Sequence, residues 1–189
     1  SELKRLSYDH FQTLINQVPN LNWAGGTSRP RYFQIRGIGE RSQYFGEGAP
    51  NFSVGFILDD MELSGLGMLG NLFDLNQIEV FRGPMSSVFG TNSLAGLISL
   101  RSNNPGDTLR LKSLLSSGTD NYLSLGTMLN LPINNKLQFR FSGSILQSDG
   151  FRYNKFREST DSNKKDEQFI RVKLNYKPLK NFKVLGTLI

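Results

Sequence analysis

The sequence predicts a small α+β domain followed by the first strands of an antiparallel transmembrane β-barrel. Three observations support this fold class. Before about residue 103, apolar residues are irregularly spaced among short elements and turns. After Asp107, apolar and polar residues alternate strictly, which is the signature of half-buried strands. The connections between those strands are short on one side and long on the other, as in outer-membrane barrels.

Composition excludes several classes of protein. The chain has 189 residues, no cysteine and a net charge of +6. Disulfides and thiolate metal sites are therefore absent, and the positive charge indicates anionic neighbours such as lipid phosphates, nucleic acid or an acidic ligand. No apolar run reaches the roughly 18 residues of a membrane-spanning helix.

The first part of the chain contains short predicted elements of both kinds. Leu3 to Val18 have helical spacing, and Pro19 stops the helix. Asp59 and Asp60 form a turn between two strands. Strands are predicted at 32–37, 53–58 and 77–81, and a helical turn is predicted at 73–75. The chain then passes through Arg82-Gly83-Pro84 and small-residue turns before a strand resumes towards Leu100.

Five alternating strands are predicted after the turn-forming run 103–107. They span 109–115, 122–133, 137–145, 169–176 and 182–189. Tight turns at 132–135 and 177–181 contrast with a long charged loop at 147–168, and the first hairpin turn, 117–121, falls on the side of that loop. A soluble antiparallel sheet with one face on a core stays open as an alternative, because such sheets also alternate. Five strands cannot close a membrane barrel, so we expect the chain to be a fragment.

Four stretches in order resemble the TonB-dependent outer-membrane transporters. They are "LSYDHFQTLINQVPNLNW", "FQIRGIG", "VGFILDDMEL" and "IEVFRGPMSSVFGTNSLAGLISLRSNNP". The resemblance implies a plug domain at 1–107, lacking its N-terminal part, and about five strands of an incomplete 22-stranded barrel at 108–189. It also implies that the segment which contacts TonB, and the first strand of the plug, precede Ser1.

Two arginines at strand ends are the candidate coupling residues. Arg36 is followed by Gly37, and Arg82 by Gly83 and Pro84, where proline ends the ladder because it has no N–H. Enclosed arginines need carboxylate partners, and the resemblance implies glutamates on later barrel strands. Glu79 is the nearest local carboxylate, but strand alternation puts it on the face opposite Arg82. The alternative is that each arginine caps a local loop.

Three glycines of the same motif are predicted to serve tight turns or close backbone approach. They are Gly83, Gly90 and Gly96, with Asn92 as a further turn residue. These positions would fold a compact plug whose strands can move. Plain turn chemistry without motion is an equally good interpretation.

The ligand is expected at loops that the resemblance places at the outward apex of the plug. The stretches are 40–52, 64–71 and 23–31. Aromatic, polar and flexible positions together suit a binding surface, with a solvated surface loop as the alternative. The predicted ligand-binding residues are Arg41, Gln43, Tyr44, Phe45, Glu47 and Met68.

The predicted function is TonB-dependent uptake of a scarce ligand across the outer membrane of a Gram-negative bacterium. A ferric siderophore or another iron complex is expected, with TonB, lipopolysaccharide and outer-membrane lipid as partners and no nucleic acid. The alternative is a non-transporting binding or adhesion protein with a plug-like domain. No catalytic residue, metal site or cofactor is predicted: Asp59 and Asp60 are adjacent on a turn, and His10 is the only histidine.

Overall fold

A computed structural model of the chain describes residues 15–24, 32–39, 52–65, 71–89, 92–179 and 181–189. The chain divides into two compact units, Ser1–Ser102 and Asn103–Ile189. The division falls at the start of the turn-forming run 103–107, where the spacing of apolar residues changes.

The first unit is built from short elements. A 3₁₀ helix spans Ile15–Gln17 and a helix α1 spans Ser86–Phe89. The strands are β1 (Leu21–Ala24), β2 (Tyr32–Ile35), β3 (Val54–Leu58), β4 (Met61–Glu62), β5 (Leu75–Arg82) and β6 (Gly96–Ser102). β1 pairs with β2, and a four-stranded sheet has the order β4-β3-β6-β5 with β3 and β6 parallel.

The core of this unit lies around β3 and β6. Every residue of β3 is buried, which is typical of a strand covered on both faces. The Phe33 ring of β2 stacks on the Phe56 ring of β3, with centroids 5.6 Å apart. These contacts fix β2 against the sheet. The buried apolar cluster is Ile15, Leu21, Phe33, Ile35, Val54, Phe56, Leu58, Ala95, Ile98 and Leu100.

Asp59 fastens the end of the parallel pair. It follows β3 with φ of 49°, a left-handed conformation that aspartate tolerates better than most residues. Its carboxylate accepts hydrogen bonds from the backbone N–H of Ser102 at 2.8 Å and from Ser102 Oγ at 2.5 Å. The Asp59 N–H donates to the Leu100 carbonyl at 3.0 Å. Asp59 is therefore a structural residue that joins the ends of β3 and β6.

The predicted strands of the first unit are confirmed, with differences at their ends. The strand predicted over 32–37 ends at Ile35, because Arg36 and Gly37 have positive φ and form a turn. Leu75 begins β5 and is not part of a helical turn, because Asp74 has φ of 58° and reverses the chain just before it. β1 and α1 were not predicted, since both are too short for a periodic pattern. Of the predicted helix 3–18, residues 3–14 lie outside the described residues.

The second unit is an antiparallel sheet of the order β13-β12-β9-β8-β7. Its strands are β7 (Arg110–Ser117), β8 (Leu123–Asn134), β9 (Leu137–Ser148), β12 (Lys165–Leu179) and β13 (Phe182–Leu188). β10 (Arg152–Asn154) and β11 (Ser159–Ser162) form a separate hairpin. The five predicted strands are confirmed.

The strands extend further than the alternating pattern does. β12 begins at Lys165, so the loop predicted over 147–168 is shorter and carries the β10–β11 hairpin. Polar residues at the start of β12 continue the ladder because backbone pairing needs no apolar side chain. β8 likewise runs through Pro132, with a register irregularity there, and leaves a two-residue turn, Asn135-Lys136.

Hydrogen bonds place the two longer connections at one end of the sheet. The Asp149 N–H donates to the Asp120 carbonyl at 2.8 Å, and Asn121 Nδ2 donates to Asp149 Oδ2 at 2.6 Å. At the other end, the Lys177 N–H donates to the Lys136 carbonyl at 2.7 Å. The predicted asymmetry between long and short connections is therefore confirmed.

The sheet buries its polar face and exposes its apolar face. Register puts Asn130, Arg140 and Lys173 on one face, where Asn130 and Lys173 are each 2% exposed. On the opposite face, Leu125 is 43% and Ile170 is 60% exposed. A soluble sheet packed on an apolar core would show the reverse, and the pattern matches a barrel wall between lipid and a polar interior. No helix within the described ranges is long and apolar enough to cross a membrane.

Removing the Asp59 carboxylate should loosen β6. We expect Asp59→Ala to cost about 2 kcal/mol, because two hydrogen bonds to a charged group are lost. Hydrogen exchange of the β6 amides in the full-length receptor should then accelerate by roughly thirtyfold. Asp59→Asn keeps one acceptor and should give a smaller effect, and Asp60→Asn is the matched control on the same turn. Equal exchange in Asp59→Ala and the unmodified protein would contradict the structural role.

Candidate functional site

Arg36 occupies a tight reversal directly after β2. Its φ of 55° and that of Gly37, 78°, are both positive, as in a type I′ turn. Ile35 and Ile38 exchange backbone hydrogen bonds of 2.9 and 3.0 Å across it. Left-handed backbone is uncommon for arginine, and the turn leaves the Arg36 side chain exposed. The fold thus presents Arg36 outward from a fixed backbone.

Arg82 is the last residue of β5, and its side chain is exposed like that of Arg36. The next residue, Gly83, has φ of 129°, and its N–H donates to the Ala95 carbonyl at 3.0 Å. Pro84 follows and the ladder stops there, as predicted.

Gly96 brings the two arginine-bearing strand ends together. A Cβ atom at Gly96 would lie 2.5 Å from Cδ1 of Ile35, the residue before Arg36, and would also collide with the carbonyl oxygen of Phe81, the residue before Arg82. Only glycine permits this approach, so the prediction of close backbone contact at Gly96 is confirmed. Arg36 and Arg82 therefore follow strand ends that pack against one position.

Glu79 does not face Arg82. It is half-buried, pairs with Ser99 in the ladder, and accepts a hydrogen bond from Gln77 Nε2 at 2.9 Å. The regular pairing from Gln77 to Arg82 puts Glu79 on the face opposite Arg82, as alternation predicts.

All six of the predicted ligand-binding residues lie outside the described residues. They are Arg41, Gln43, Tyr44, Phe45, Glu47 and Met68, and Gly90 of the turn motif lies outside as well. The first residues of two predicted ligand stretches, Trp23 of 23–31 and Ser64 of 64–71, are described and have structural roles. Trp23 belongs to β1 and packs against the core, and Ser64 Oγ accepts a hydrogen bond from the Phe56 N–H at 3.0 Å.

Asn130 holds residues 106–108, which precede β7, against the polar face of the second unit. Its Oδ1 accepts from the Gly106 N–H at 2.9 Å and from Arg140 Nη1 at 3.3 Å. Its Nδ2 donates to the carbonyls of Gly106 at 2.9 Å and Thr108 at 2.7 Å. An asparagine side chain has two donors and two acceptor lone pairs, so all four are used.

Basic side chains flank Asn130 on this polar face. Register aligns Arg110, Asn130, Arg140 and Lys173 in one row across four strands. Lys173 Nζ donates to Asn104 Oδ1 at 3.2 Å. The row therefore binds the residues before β7 at Asn104 as well as at Gly106 and Thr108. In the next row, the Arg171 guanidinium lies 4.7 Å from the centre of the Phe169 ring. The alternating pattern predicts the strands that carry Asn130 and Arg140 but does not show what these side chains bind.

The family model of the TonB-dependent Receptor Plug Domain matches residues 1–97, just over half of the chain. The vitamin B12 transporter BtuB of Vibrio vulnificus (strain YJ016) is 28% identical over 132 residues, which are 67% of this chain and 22% of that protein.

Solved structures of outer-membrane receptors share the fold of both units. The ferric yersiniabactin uptake receptor FyuA from Yersinia pestis matches with a TM-score of 0.78 and 22% identity, over 94% of this chain and 28% of its own. The alcaligin receptor FauA from Bordetella pertussis gives 0.74 and 11%, over 98% of this chain and 29% of its own. Pyoverdine-bound FpvA from Pseudomonas aeruginosa PAO1 gives 0.73 and 12%, over 95% and 24%.

The chain spans between a fifth and a third of the length of these relatives. Their family consists of receptors and transporters of the Gram-negative outer membrane, not enzymes. With a plug-domain match, a partial antiparallel wall and an exposed apolar face, this chain belongs to the TonB-dependent receptor family.

Proposed function

We propose that the full protein imports a ferric siderophore or another iron complex across the outer membrane, powered by TonB. The observation that carries this proposal is the match of the plug-domain family over residues 1–97, joined to a sheet with an exposed apolar face. A plug inside a membrane barrel has to move before a ligand can pass. An energised partner supplies that movement.

The choice of an iron complex draws on the solved relatives. Those relatives are receptors for ferric yersiniabactin, pyoverdine and alcaligin, whereas the relative found by sequence is a vitamin B12 transporter. Charge also supports an anionic ligand. The second unit contains fourteen Lys or Arg and seven Asp or Glu residues, a net charge of +7. A positive surface raises the local concentration of anions.

We propose that the ligand contacts the apex residues Arg41, Gln43, Tyr44, Phe45, Glu47 and Met68. In the sequence, residues 41–47 fall between β2 and β3, and Met68 falls between β4 and β5. Segments between the strands of a rigid sheet are the usual location of binding residues.

The two arginines are proposed to couple plug and wall. Arg36 and Arg82 extend from strand ends fixed around Gly96, and carboxylates of later barrel strands are their proposed partners. Charged hydrogen bonds of this kind hold a domain in one orientation and can be exchanged when it is pulled.

The membrane itself supplies the remaining partners. We propose that the exposed apolar face contacts lipid and that basic side chains near the strand ends contact phosphate groups, including those of lipopolysaccharide. Examples of such residues are Arg152, Lys155 and Arg157 on the β10–β11 hairpin, all of which are exposed.

Growth and uptake under iron limitation test the function. A strain that lacks this receptor should grow poorly on iron chelates that the intact strain uses, and the full-length gene should restore ⁵⁵Fe accumulation. Removal of TonB should abolish accumulation but leave binding of the same chelate to cells. Binding without TonB-dependent accumulation would favour a non-transporting binding protein, and neither binding nor accumulation of any iron chelate would overturn the iron proposal.

Substitution of the coupling arginines should separate binding from transport. We expect the double variant Arg36→Gln, Arg82→Gln to bind ligand normally, because neither residue lies in the apex loops, and to accumulate it at least about tenfold more slowly, because charge-assisted contacts are lost. Arg101→Gln, an exposed arginine of β6, is the matched control. Ligand affinity and initial uptake rate are measured on the same cells. Normal uptake in the double variant would count against the coupling role.

A further inference from the structure

A seven-residue segment, Asn103–Leu109, lies against the polar face of the second unit and is called the strap here. It joins β6, which ends at Ser102, to β7, which begins at Arg110. The strap therefore carries any tension from the first unit into the sheet.

Four hydrogen bonds fasten the strap to the sheet. Lys173 Nζ on β12 donates to Asn104 Oδ1 at 3.2 Å. On β8, Asn130 makes one bond with the Gly106 N–H and two with the carbonyls of Gly106 and Thr108, between 2.7 and 2.9 Å. Arg140 of β9 supports these bonds from within the sheet, because it donates to Asn130 Oδ1 at 3.3 Å and so fixes the orientation of the amide.

The attachment follows one row of the sheet. Lys173, Arg140, Asn130 and Arg110 are register neighbours on β12, β9, β8 and β7. Neighbouring strands lie about 4.8 Å apart, so the row is roughly 14 Å long. The strap contacts this row at Lys173 of β12 and at Asn130 of β8. A pull on the strap is thereby shared by several strands.

We propose that the strap is a mechanical stop: when the first unit is pulled, unfolding ends at Ser102 and the strap stays on the sheet. The inference rests on the proposed TonB-driven movement. Asn130 is its central positioning residue, because it is 2% exposed and uses all four of its hydrogen-bonding positions on the strap and on Arg140. Movement is thus limited to residues upstream, and the plug returns to a fixed point of attachment.

The stop should be visible when the full-length receptor is held by its barrel and stretched from its N-terminal end. Seven residues span at most about 25 Å when extended. In the unmodified protein, a last, separate rupture should therefore release about 25 Å after the first unit has unfolded. In Asn130→Leu this rupture should disappear, because three of the four bonds to the strap are lost and the single Lys173–Asn104 bond that remains is too weak to give a separate rupture.

Asn175→Leu is the matched control. Asn175 is also 2% exposed and lies on the same face, but its Nδ2 donates to Gln138 Oε1 at 2.6 Å and not to the strap. This control should keep the final rupture. The proposal is overturned if the unmodified protein lacks the rupture, if Asn130→Leu keeps it, or if Asn175→Leu loses it.

Hydrogen exchange gives a second test that needs no force. The Gly106 amide should exchange at least about tenfold faster in Asn130→Leu, since its acceptor is removed, and at the normal rate in Asn175→Leu. If Asn130→Leu does not fold, Asn130→Asp replaces it: that side chain keeps the acceptor for Gly106 but loses both donors, so the final rupture should need less force. Unchanged rupture force and unchanged exchange would refute the stop. Neither test uses a ligand or TonB, so failure of the strap is distinct from failure of the import proposal.

Discussion

The backbone of a strand in a membrane has to satisfy every N–H and C=O group inside its own sheet, since lipid offers no partner. That constraint explains the second unit. β8, β9 and β12 are 12, 12 and 15 residues long. β12 pairs with β9 without a break from Lys165 to Tyr176, including the polar stretch Lys165–Gln168 that no apolar pattern would extend. With the backbone satisfied, the side chains are free to divide between a lipid face and a polar face.

The polar face gives the wall a second task, which is to hold the connection to the first unit. Asn130 can serve because it is buried among groups that use its whole hydrogen-bonding capacity, and Arg140 and Lys173 lie in the same row. In the first unit, Gly96 has a similar role, because the strand ends that precede Arg36 and Arg82 both pack against this one glycine. In both places a short polar or small residue determines how larger elements meet.

Much of this architecture could be predicted from the sequence, and the failures have physical causes. Period-two alternation located all five wall strands, and the glycine and proline at 83 and 84 located the end of β5. Strand ends were missed at Lys165 and Leu75, because pairing there depends on backbone and turn geometry. The strap could not be predicted, since Asn130 looks like any polar residue on a strand until its partners 22 and 24 positions upstream are known. The apex loop residues stay a prediction.

The central claim is that the exposed apolar face of the sheet contacts lipid, and one pair of substitutions tests it most directly. Leu129 lies in the middle of β8 and Ile133 near its end, two residues before the Asn135-Lys136 turn, both on the apolar face. The free energy of unfolding of the full-length receptor in lipid vesicles is measured for Leu129→Arg and Ile133→Arg. The account predicts a loss of about 2–4 kcal/mol for Leu129→Arg and at most about 1 kcal/mol for Ile133→Arg, because the cost of arginine falls from midplane to interface. A loss near zero at Leu129 would show that this face meets water, and the membrane wall would be contradicted.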